Sequence, residues 1–150
     1  MYDRILVPVD GSRTGTAGLR EAIRLATTNE RATLRVLHVL EPLPALQVKL
    51  AAAKQVLRNI RAFEARVVAN AKSLARRRGV RVEGALLKGL RGRTADAIVA
   101  EAARWKADII VIGTHGRRGI SRIVLGSDAE AVAGAAPVPV LLVRSGRKSG

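Results

Sequence analysis

The order of apolar and amphipathic segments constrains this chain more than any other feature of its sequence. Short apolar runs that suit buried strands alternate with longer segments whose apolar residues recur every three or four positions. Strict alternation predicts an α/β fold with one parallel sheet covered by helices on both faces. The third strand alternates in polarity and is predicted at an edge. The predicted strands are residues 5–9, 34–40, 80–87, 109–112 and 137–143.

Four predicted helices fill the intervals between these strands. Ser12 and Thr94 are the predicted N-caps of the first and third helices. The second helix is predicted over residues 46–78, with Gly79 as its C-cap. Its apolar stripe contains one polar member, Glu64. The fourth helix is predicted over residues 127–135.

Composition narrows the class of protein. A chain of 150 residues suits one domain, and 48% apolar residues allow a sizeable core, which is expected to be aliphatic because the chain has three aromatic residues. The absence of cysteine excludes disulfides and thiolate metal sites, and two histidines are too few for a histidine-rich metal site. No apolar run is long enough to span a membrane, and the amino terminus lacks a secretory signal pattern. A cytoplasmic protein is therefore expected.

The chain is strongly basic. It has 27 Lys and Arg residues against 12 Asp and Glu residues, a net charge of +15, which favours anionic partners. The run 76–78 of three arginines suits a solvated helix end or a nucleic-acid patch. Base stacking needs exposed aromatic residues, which the chain nearly lacks, so nonspecific and salt-sensitive adsorption is expected. Residues 145–150 are predicted to form a basic flexible tail beyond a domain at 1–144.

A glycine-rich segment directly follows the fourth predicted strand. Its spacing is Gly-x2-Gly-x9-Gly-Ser, on Gly113, Gly116, Gly126 and Ser127. Glycine amides approach an anion closely, and the start of the following helix offers free N–H groups and a positive dipole end. Positive potential is added by Arg117, Arg118 and Arg122. The residues alone leave two interpretations open, a phosphate-binding loop and a mobile surface loop with turn glycines.

With this spacing, the chain resembles the universal stress protein family, whose ATP-binding members carry the same glycine pattern. The resemblance covers nearly the whole chain and implies a five-stranded parallel sheet of order 3-2-1-4-5, of the adenine nucleotide alpha hydrolase-like type. The other matching segments are Ile5–Ser12 (ILVPVDGS), Leu37–Val39, Ala107–Asp108 and Pro139–Val143.

The resemblance implies that the chain binds ATP, with Mg²⁺ accompanying the nucleotide. It assigns hydrogen bonds from the ribose hydroxyls to Asp10, whose carboxylate is an acceptor only, although this aspartate also suits a turn that leads into a helix. It places Pro8 and Val39 in the adenine pocket, although both also suit the core. The other residues that it places at the nucleotide are Ile112 and Gly113 beside it, and Gly116, Arg117, Gly126 and Ser127 around the phosphates.

Asp128 departs from the family pattern, which has a small apolar residue at this position. An acidic residue in the first helical turn is locally favourable. Beside a triphosphate, one like-charge pair at about 5 Å and an effective dielectric of about 20 costs about 3 kcal/mol. Mg²⁺ or the nearby arginines are expected to offset this cost, and Asp128 is also a candidate contact for Mg²⁺. It keeps open the alternative of a nucleotide-free protein that acts through protein contacts.

No pair of nucleophile and general base stands out, so at most slow ATP hydrolysis is expected. His38 is predicted to be partly buried with its hydrogen bonds satisfied, and His115 to have no catalytic role.

The last strand predicts an exposed apolar edge, Val138–Val143, which invites pairing with another chain. Members of the resembled family commonly dimerise through this strand, so a homodimer is expected.

Overall fold

The computed structural model describes residues 1–40, 50–89, 93–114 and 125–145. In these ranges, strands and helices alternate as the sequence predicts. The elements are β1 (Arg4–Pro8), α1 (Arg13–Ala26), β2 (Thr33–Leu40), α2 (Leu50–Arg77), β3 (Arg81–Lys88), α3 (Thr94–Trp105), β4 (Ile109–Thr114), α4 (Ser127–Ala135) and β5 (Val140–Arg144).

The strands form one sheet of order β3-β2-β1-β4-β5, and every neighbouring pair is parallel. This confirms the predicted architecture. From β1 the chain first winds outward through β2 to β3, and then returns to the other side of β1 with β4 and β5. The winding direction therefore reverses between β1 and β4. In open α/β sheets, ligands bind beyond the carboxyl ends of the strands at such a point.

Two apolar layers cover the sheet. Ile5 and Val7 of β1 belong to one layer together with residues of α1 and α2, whereas Leu6 belongs to the other layer with residues of α3 and α4. This division follows from the alternation of side chains along a strand. The core is aliphatic apart from Trp105, since Phe63 is 52% exposed and Tyr2 is 37% exposed. Within the described ranges, no helix is both long and apolar enough to cross a membrane.

Helix α1 lies unusually close to β4. A Cβ atom on Gly113 would overlap the Thr14 carbonyl group, and one on Gly18 would lie 2.8 Å from the Gly113 nitrogen. The missing side chains let the helix backbone rest on the strand. Ser12 is the N-cap, as predicted, and its Oγ accepts a hydrogen bond from the Gly15 N–H at 3.1 Å. These contacts fix the turn after β1 against the end of β4.

The end of helix α2 confirms the predicted C-cap. Gly79 has a φ of +74°, a conformation that glycine adopts without strain. Its N–H donates to the Arg76 carbonyl, and the next N–H, of Val80, donates to the Ala75 carbonyl. These two bonds form a Schellman motif. The predicted start of the helix at residue 46 lies outside the described residues.

Other boundaries differ from the predictions. The predicted N-cap at Thr94 is wrong, because the extended residue Arg93 occupies the N-cap position and Thr94 is the first helical residue. Strand β4 continues past Ile112, since the ladder with β5 pairs Gly113 and Thr114 with Val143 and Arg144. Strand β5 begins three residues later than predicted, after a segment with two prolines, which cannot donate backbone hydrogen bonds.

Candidate functional site

A cavity of about 650 Å³ opens at the carboxyl ends of the central strands, where the winding of the sheet reverses. The ends of β1, β2 and β4 form its floor, and the starts of α1, α3 and α4 and one face of α2 form its walls. Eight of the ten predicted site residues line it: Pro8, Asp10, Val39, Ile112, Gly113, Gly126, Ser127 and Asp128. The other two, Gly116 and Arg117, lie outside the described residues.

The start of helix α4 lies at this cavity, with Ser127 and Asp128 in its wall. Gly126 is its N-cap and has no side chain that caps the helix. The Glu130 N–H donates to the Gly126 carbonyl at 3.0 Å. The first amides of a helix have no partner within the helix, and no group among the described residues accepts a hydrogen bond from those of Ser127 and Asp128. This arrangement fits an anionic group, because the amides and the helix dipole both favour negative charge.

Asp10 has two oxygens in different situations. Its Oδ1 accepts a hydrogen bond from the Ser12 N–H at 2.9 Å, which builds the turn into α1. A Cβ atom on Gly15 would lie 2.7 Å from the same Oδ1, so the glycine leaves room for the carboxylate. The residue is exposed at the cavity wall. The turn role and the acceptor role that the sequence left open are therefore compatible, because the turn uses one oxygen and leaves the other available.

Gly113 has a structural explanation that the sequence did not provide. The resemblance placed it against a nucleotide, and it does line the cavity. Its lack of a side chain, however, is required by the Thr14 carbonyl of α1. The first glycine of the spacing motif is therefore needed for helix packing whether or not a ligand is bound.

His38 is buried beside the cavity and confirms the prediction of a histidine with satisfied hydrogen bonds. Its Nδ1 lies 2.7 Å from the Val9 carbonyl oxygen. Because a carbonyl oxygen only accepts, Nδ1 carries the proton. Nε2 lies 3.8 Å from Oε1 of Glu64 on α2. The imidazole is therefore hydrogen-bonded to the segment after β1, and it lies next to Glu64 of α2 without a hydrogen bond to it.

Glu64 lines the cavity, although it was not among the site residues predicted from the sequence. Its position as the one polar member of the apolar stripe of α2 was the only sequence feature that indicated a special role. Its side chain is 12% exposed. The His38 imidazole is its neighbour, with Nε2 3.8 Å from Oε1, which is too far for a hydrogen bond. That neighbour was not visible in the sequence, because the two residues lie on different elements.

The described wall of the cavity is acidic. Asp10, Glu64 and Asp128 contribute three carboxylates, and no lysine or arginine of the described residues lines the cavity. The arginines that the sequence analysis placed near the phosphates, at 117, 118 and 122, lie outside the described ranges. The described residues of the wall therefore supply no positively charged side chain to an anionic ligand.

The fold, the position of the cavity and the helix start agree with one family. The sequence pattern of the Universal stress protein family matches residues 1–144. This chain belongs to the universal stress protein family. It is 38% identical to a universal stress protein of Thermus aquaticus, over 96% of this chain and all of the relative. It is 31% identical to one from Methanocaldococcus jannaschii, over 99% of this chain and 85% of the relative.

Solved structures show the same fold. A universal stress family protein from Burkholderia pseudomallei superposes with a TM-score of 0.74 at 27% identity, covering 95% of this chain and 96% of that one. A universal stress protein in complex with cAMP has a TM-score of 0.66 at 25% identity, covering 97% and 98%. The Archaeoglobus fulgidus protein in complex with dAMP has a TM-score of 0.63 at 26% identity, covering 93% and 96%.

Proposed function

We propose that this protein is a regulatory stress protein of the cytoplasm that binds ATP together with Mg²⁺ in the cavity at the carboxyl ends of the strands. The observation that carries the proposal is the start of α4 at the cavity wall, where no described group caps the helix or accepts from the Ser127 and Asp128 amides. Two relatives with the same fold were solved with cAMP and dAMP, which supports an adenine nucleotide as the ligand.

The two ends of the cavity suit the two ends of a nucleotide. Val39 and Ile112 are nearly buried and provide an apolar surface for a flat base. Asp10 provides the acceptor for the ribose hydroxyls. Ser127 adds a hydroxyl donor to the helix amides, at the place where the phosphates would lie. The residues present therefore fit an adenine nucleotide in this orientation.

Mg²⁺ fits the same site because of its charge balance. ATP carries several negative charges, and the described wall adds three carboxylates. A bound Mg²⁺ would offset the repulsion between the phosphates and Asp128. The proposal therefore expects a larger dependence on Mg²⁺ for ATP than for AMP, which carries less charge.

Equilibrium titration with a fluorescent ATP analogue tests the proposal. Saturable binding that Mg²⁺ strengthens is expected, together with competition by unlabelled ATP. A folded protein that shows no saturable binding at low salt with Mg²⁺ would overturn it. Such a result would favour the nucleotide-free alternative, in which the family fold acts through protein contacts alone.

We further propose that the nucleotide acts as a switch for partner binding and that any hydrolysis is slow. In the described part of the chain, no serine or threonine hydroxyl forms a hydrogen bond with a carboxylate or an imidazole. A serine or threonine that attacks the phosphate would need such a bond. Release of phosphate from ATP, measured with the purified protein, is expected to be much slower than the exchange of bound nucleotide.

A homodimer through β5 is part of the same proposal. The four apolar residues of β5, Val140–Val143, are half-buried, whereas Ile5, Leu6 and Val7 of central β1 are fully buried. Pairing with a second β5 would bury the remaining surface. The other edge strand, β3, carries charges at Arg81, Glu83 and Lys88, which discourage pairing. Light scattering is expected to report a dimer, and a monomer at micromolar concentration would contradict it.

A further inference from the structure

Helix α2 concentrates positive charge that the nucleotide site does not use. It carries seven basic residues and one acidic residue, Glu64, which lines the cavity. The helix thus contributes +6 of the net charge of +15. None of its basic side chains takes part in a salt bridge with another described residue. The basic residues are Lys54, Arg58, Arg61, Arg66, Lys72, Arg76 and Arg77.

Five of these residues lie along one side of the helix. With 3.6 residues per turn, they fall within an arc of about 60°. We call this set the basic stripe: Lys54, Arg58, Arg61, Lys72 and Arg76. Lys72 is half-buried and the other four are exposed. The stem of Lys72 covers Gly84, where a Cβ atom would lie 2.9 Å from the lysine Cδ. The stripe therefore follows the side of α2 that faces β3.

The stripe consists of two groups with a gap between them. Lys54, Arg58 and Arg61 form the first group, and Lys72 and Arg76 form the second. Lys72 lies eleven positions after Arg61, which corresponds to about 16 Å along the helix axis. The helix surface between them carries small alanine side chains on the same side. The major groove of DNA is about 12 Å wide, so the two groups are spaced to reach the phosphates on its two sides.

We propose that the basic stripe of α2 binds the phosphate backbone of double-stranded nucleic acid, with one group of basic residues on each strand. Alanines at the centre have no polar atoms with which to read base edges. Stacking on single-stranded bases would need aromatic residues on the stripe, and it has none. The binding is therefore electrostatic, independent of sequence and steeply dependent on salt.

An anionic membrane is the other polyanion that a basic helix contacts. Helices that lie on membranes combine basic residues with bulky apolar ones that enter the lipid. Among the side chains of α2 that the structure describes, the exposed large apolar ones are Val56 and Phe63. By helical periodicity, both lie on the side of α2 opposite the stripe. The described surface around the stripe therefore lacks the apolar component that a membrane would require, and a duplex backbone fits it better.

Fluorescence anisotropy with a labelled random-sequence DNA duplex, measured over a series of salt concentrations, tests the proposal on the full-length protein. One variant replaces the five stripe residues with glutamine. A control variant of equal net charge replaces five exposed basic residues outside α2 with glutamine: Arg13, Arg20, Arg31, Lys106 and Arg144. Circular dichroism checks that both variants fold, and a variant of Lys54, Arg58 and Arg61 alone serves if the five-residue variant does not.

The stripe variant is expected to lose at least about tenfold in affinity. The slope of its plot of log affinity against log salt is expected to become less negative by about 4.5, because each of five lost phosphate contacts contributes about 0.9. The three-residue variant should flatten it by about 2.7. The charge-matched control should change much less. Equal losses in the stripe and control variants would show that net charge alone is responsible and would overturn the proposal. Tighter binding to phosphatidylserine vesicles than to the duplex at the same salt would overturn it in favour of a membrane.

Discussion

The acidic residues at the amino end of the sheet are surrounded by donors, whereas those at the carboxyl end line an open cavity. Glu101 is fully buried on α3 and forms ion pairs with Arg35 of β2 and with Arg104, the latter at 2.7 Å. Asp108 accepts hydrogen bonds from the Asp3 and Arg4 N–H groups. At the carboxyl end, Asp10, Glu64 and Asp128 share a wall without a described lysine or arginine.

Trp105 contacts two arginines at the amino end of the sheet. The Cζ atoms of Arg4 and Arg35 lie 5.2 Å and 4.8 Å from the centre of its ring. Arg35 is also bonded to Glu83 of β3, so its guanidinium group joins two strands and a helix. Removing one member of such a buried charge network destabilises a fold strongly, whereas carboxylates that lack partners reduce stability unless a ligand or cation is bound. The contrast predicts that substitutions at the amino end of the sheet mainly change the stability of the fold, whereas substitutions at the carboxyl end mainly change nucleotide affinity.

The largest expected effect is the loss of stability on removing the Glu101 carboxylate. Breaking a fully buried ion pair costs about 3–5 kcal/mol. We expect a smaller loss of about 2–3 kcal/mol for Glu101→Ala, because Arg35 still forms its ion pair with Glu83. The melting temperature should fall by roughly 5–10 °C. Thermal unfolding followed by circular dichroism measures the change, and nucleotide affinity of the folded variant should stay the same.

Glu21 provides a matched control, because it also pairs with an arginine three residues later. Its partner Arg24 is 70% exposed, and this pair lies on the surface of α1. Glu21→Ala is expected to cost about 0.5 kcal/mol or less, as exposed ion pairs do. Similar losses from the two variants, or a loss of nucleotide affinity in Glu101→Ala alone, would contradict the proposed division between the two ends.

At the carboxyl end, Asp10→Asn is expected to lower affinity without lowering stability. The asparagine carbonyl can still accept the Ser12 N–H bond, so the turn into α1 is preserved. The second oxygen becomes an amide donor and no longer accepts a ribose hydroxyl. We expect an affinity loss of about tenfold, equal to about 1.4 kcal/mol, in the ATP-analogue titration. An unchanged affinity would remove Asp10 from the ribose site.

The sequence predicted elements well where the signal is local. Three such predictions are confirmed: the alternation of segments, the N-cap at Ser12 and the C-cap at Gly79. Each depends on residues within one or two turns. The strand order followed from the family resemblance. Thr94 was a wrong prediction of the same local kind, because a threonine at a helix start does not distinguish the cap from the first helical residue.

The site was less accessible to sequence reasoning because its contacts join distant segments. Glu64 comes to the cavity from α2, and only the packing of that helix on β2 brings it to His38. The requirement for glycine at 113 comes from a carbonyl group nearly one hundred residues earlier, at Thr14. Similarly, Arg35 and Glu101 are 66 residues apart. The glycine spacing together with the family resemblance identified eight residues that line the cavity, but not their partners.

Substitution of Asp128 is expected to change nucleotide affinity less than Asp10→Asn does, and to raise it instead of lowering it. Asp128→Val removes a negative charge beside the proposed phosphates, so affinity for ATP should rise, by about tenfold or less because water and salt screen an exposed carboxylate. Glu130→Val is the matched control, since Glu130 is exposed in the same helical turn but does not line the cavity. Isothermal titration of both variants with MgATP measures the difference.

The outcome at Asp128 also separates the two interpretations of the cavity. A wild-type protein that binds MgATP and gains moderately in the variant fits the proposed function. A wild type without binding and a variant with strong binding would establish the nucleotide-free alternative. An affinity that falls in Asp128→Val but not in Glu130→Val would instead identify Asp128 as a contact for Mg²⁺.

The smallest expected effect is the pH dependence of the amino end. Burial alone would raise the pKa of Glu101, but hydrogen bonds from Arg104 and Arg35 outweigh it and hold this pKa below the ordinary glutamate value of 4.5. The unfolded chain therefore binds the proton more readily, and the stability from Glu101 is complete above pH 4.5 and is lost as the pH falls through the lower folded pKa. The difference in unfolding free energy between wild type and Glu101→Gln, from urea titrations, should shrink as the pH is lowered through this range. A difference that stays constant or grows on acidification would mean that the carboxylate charge does not stabilise this end of the sheet.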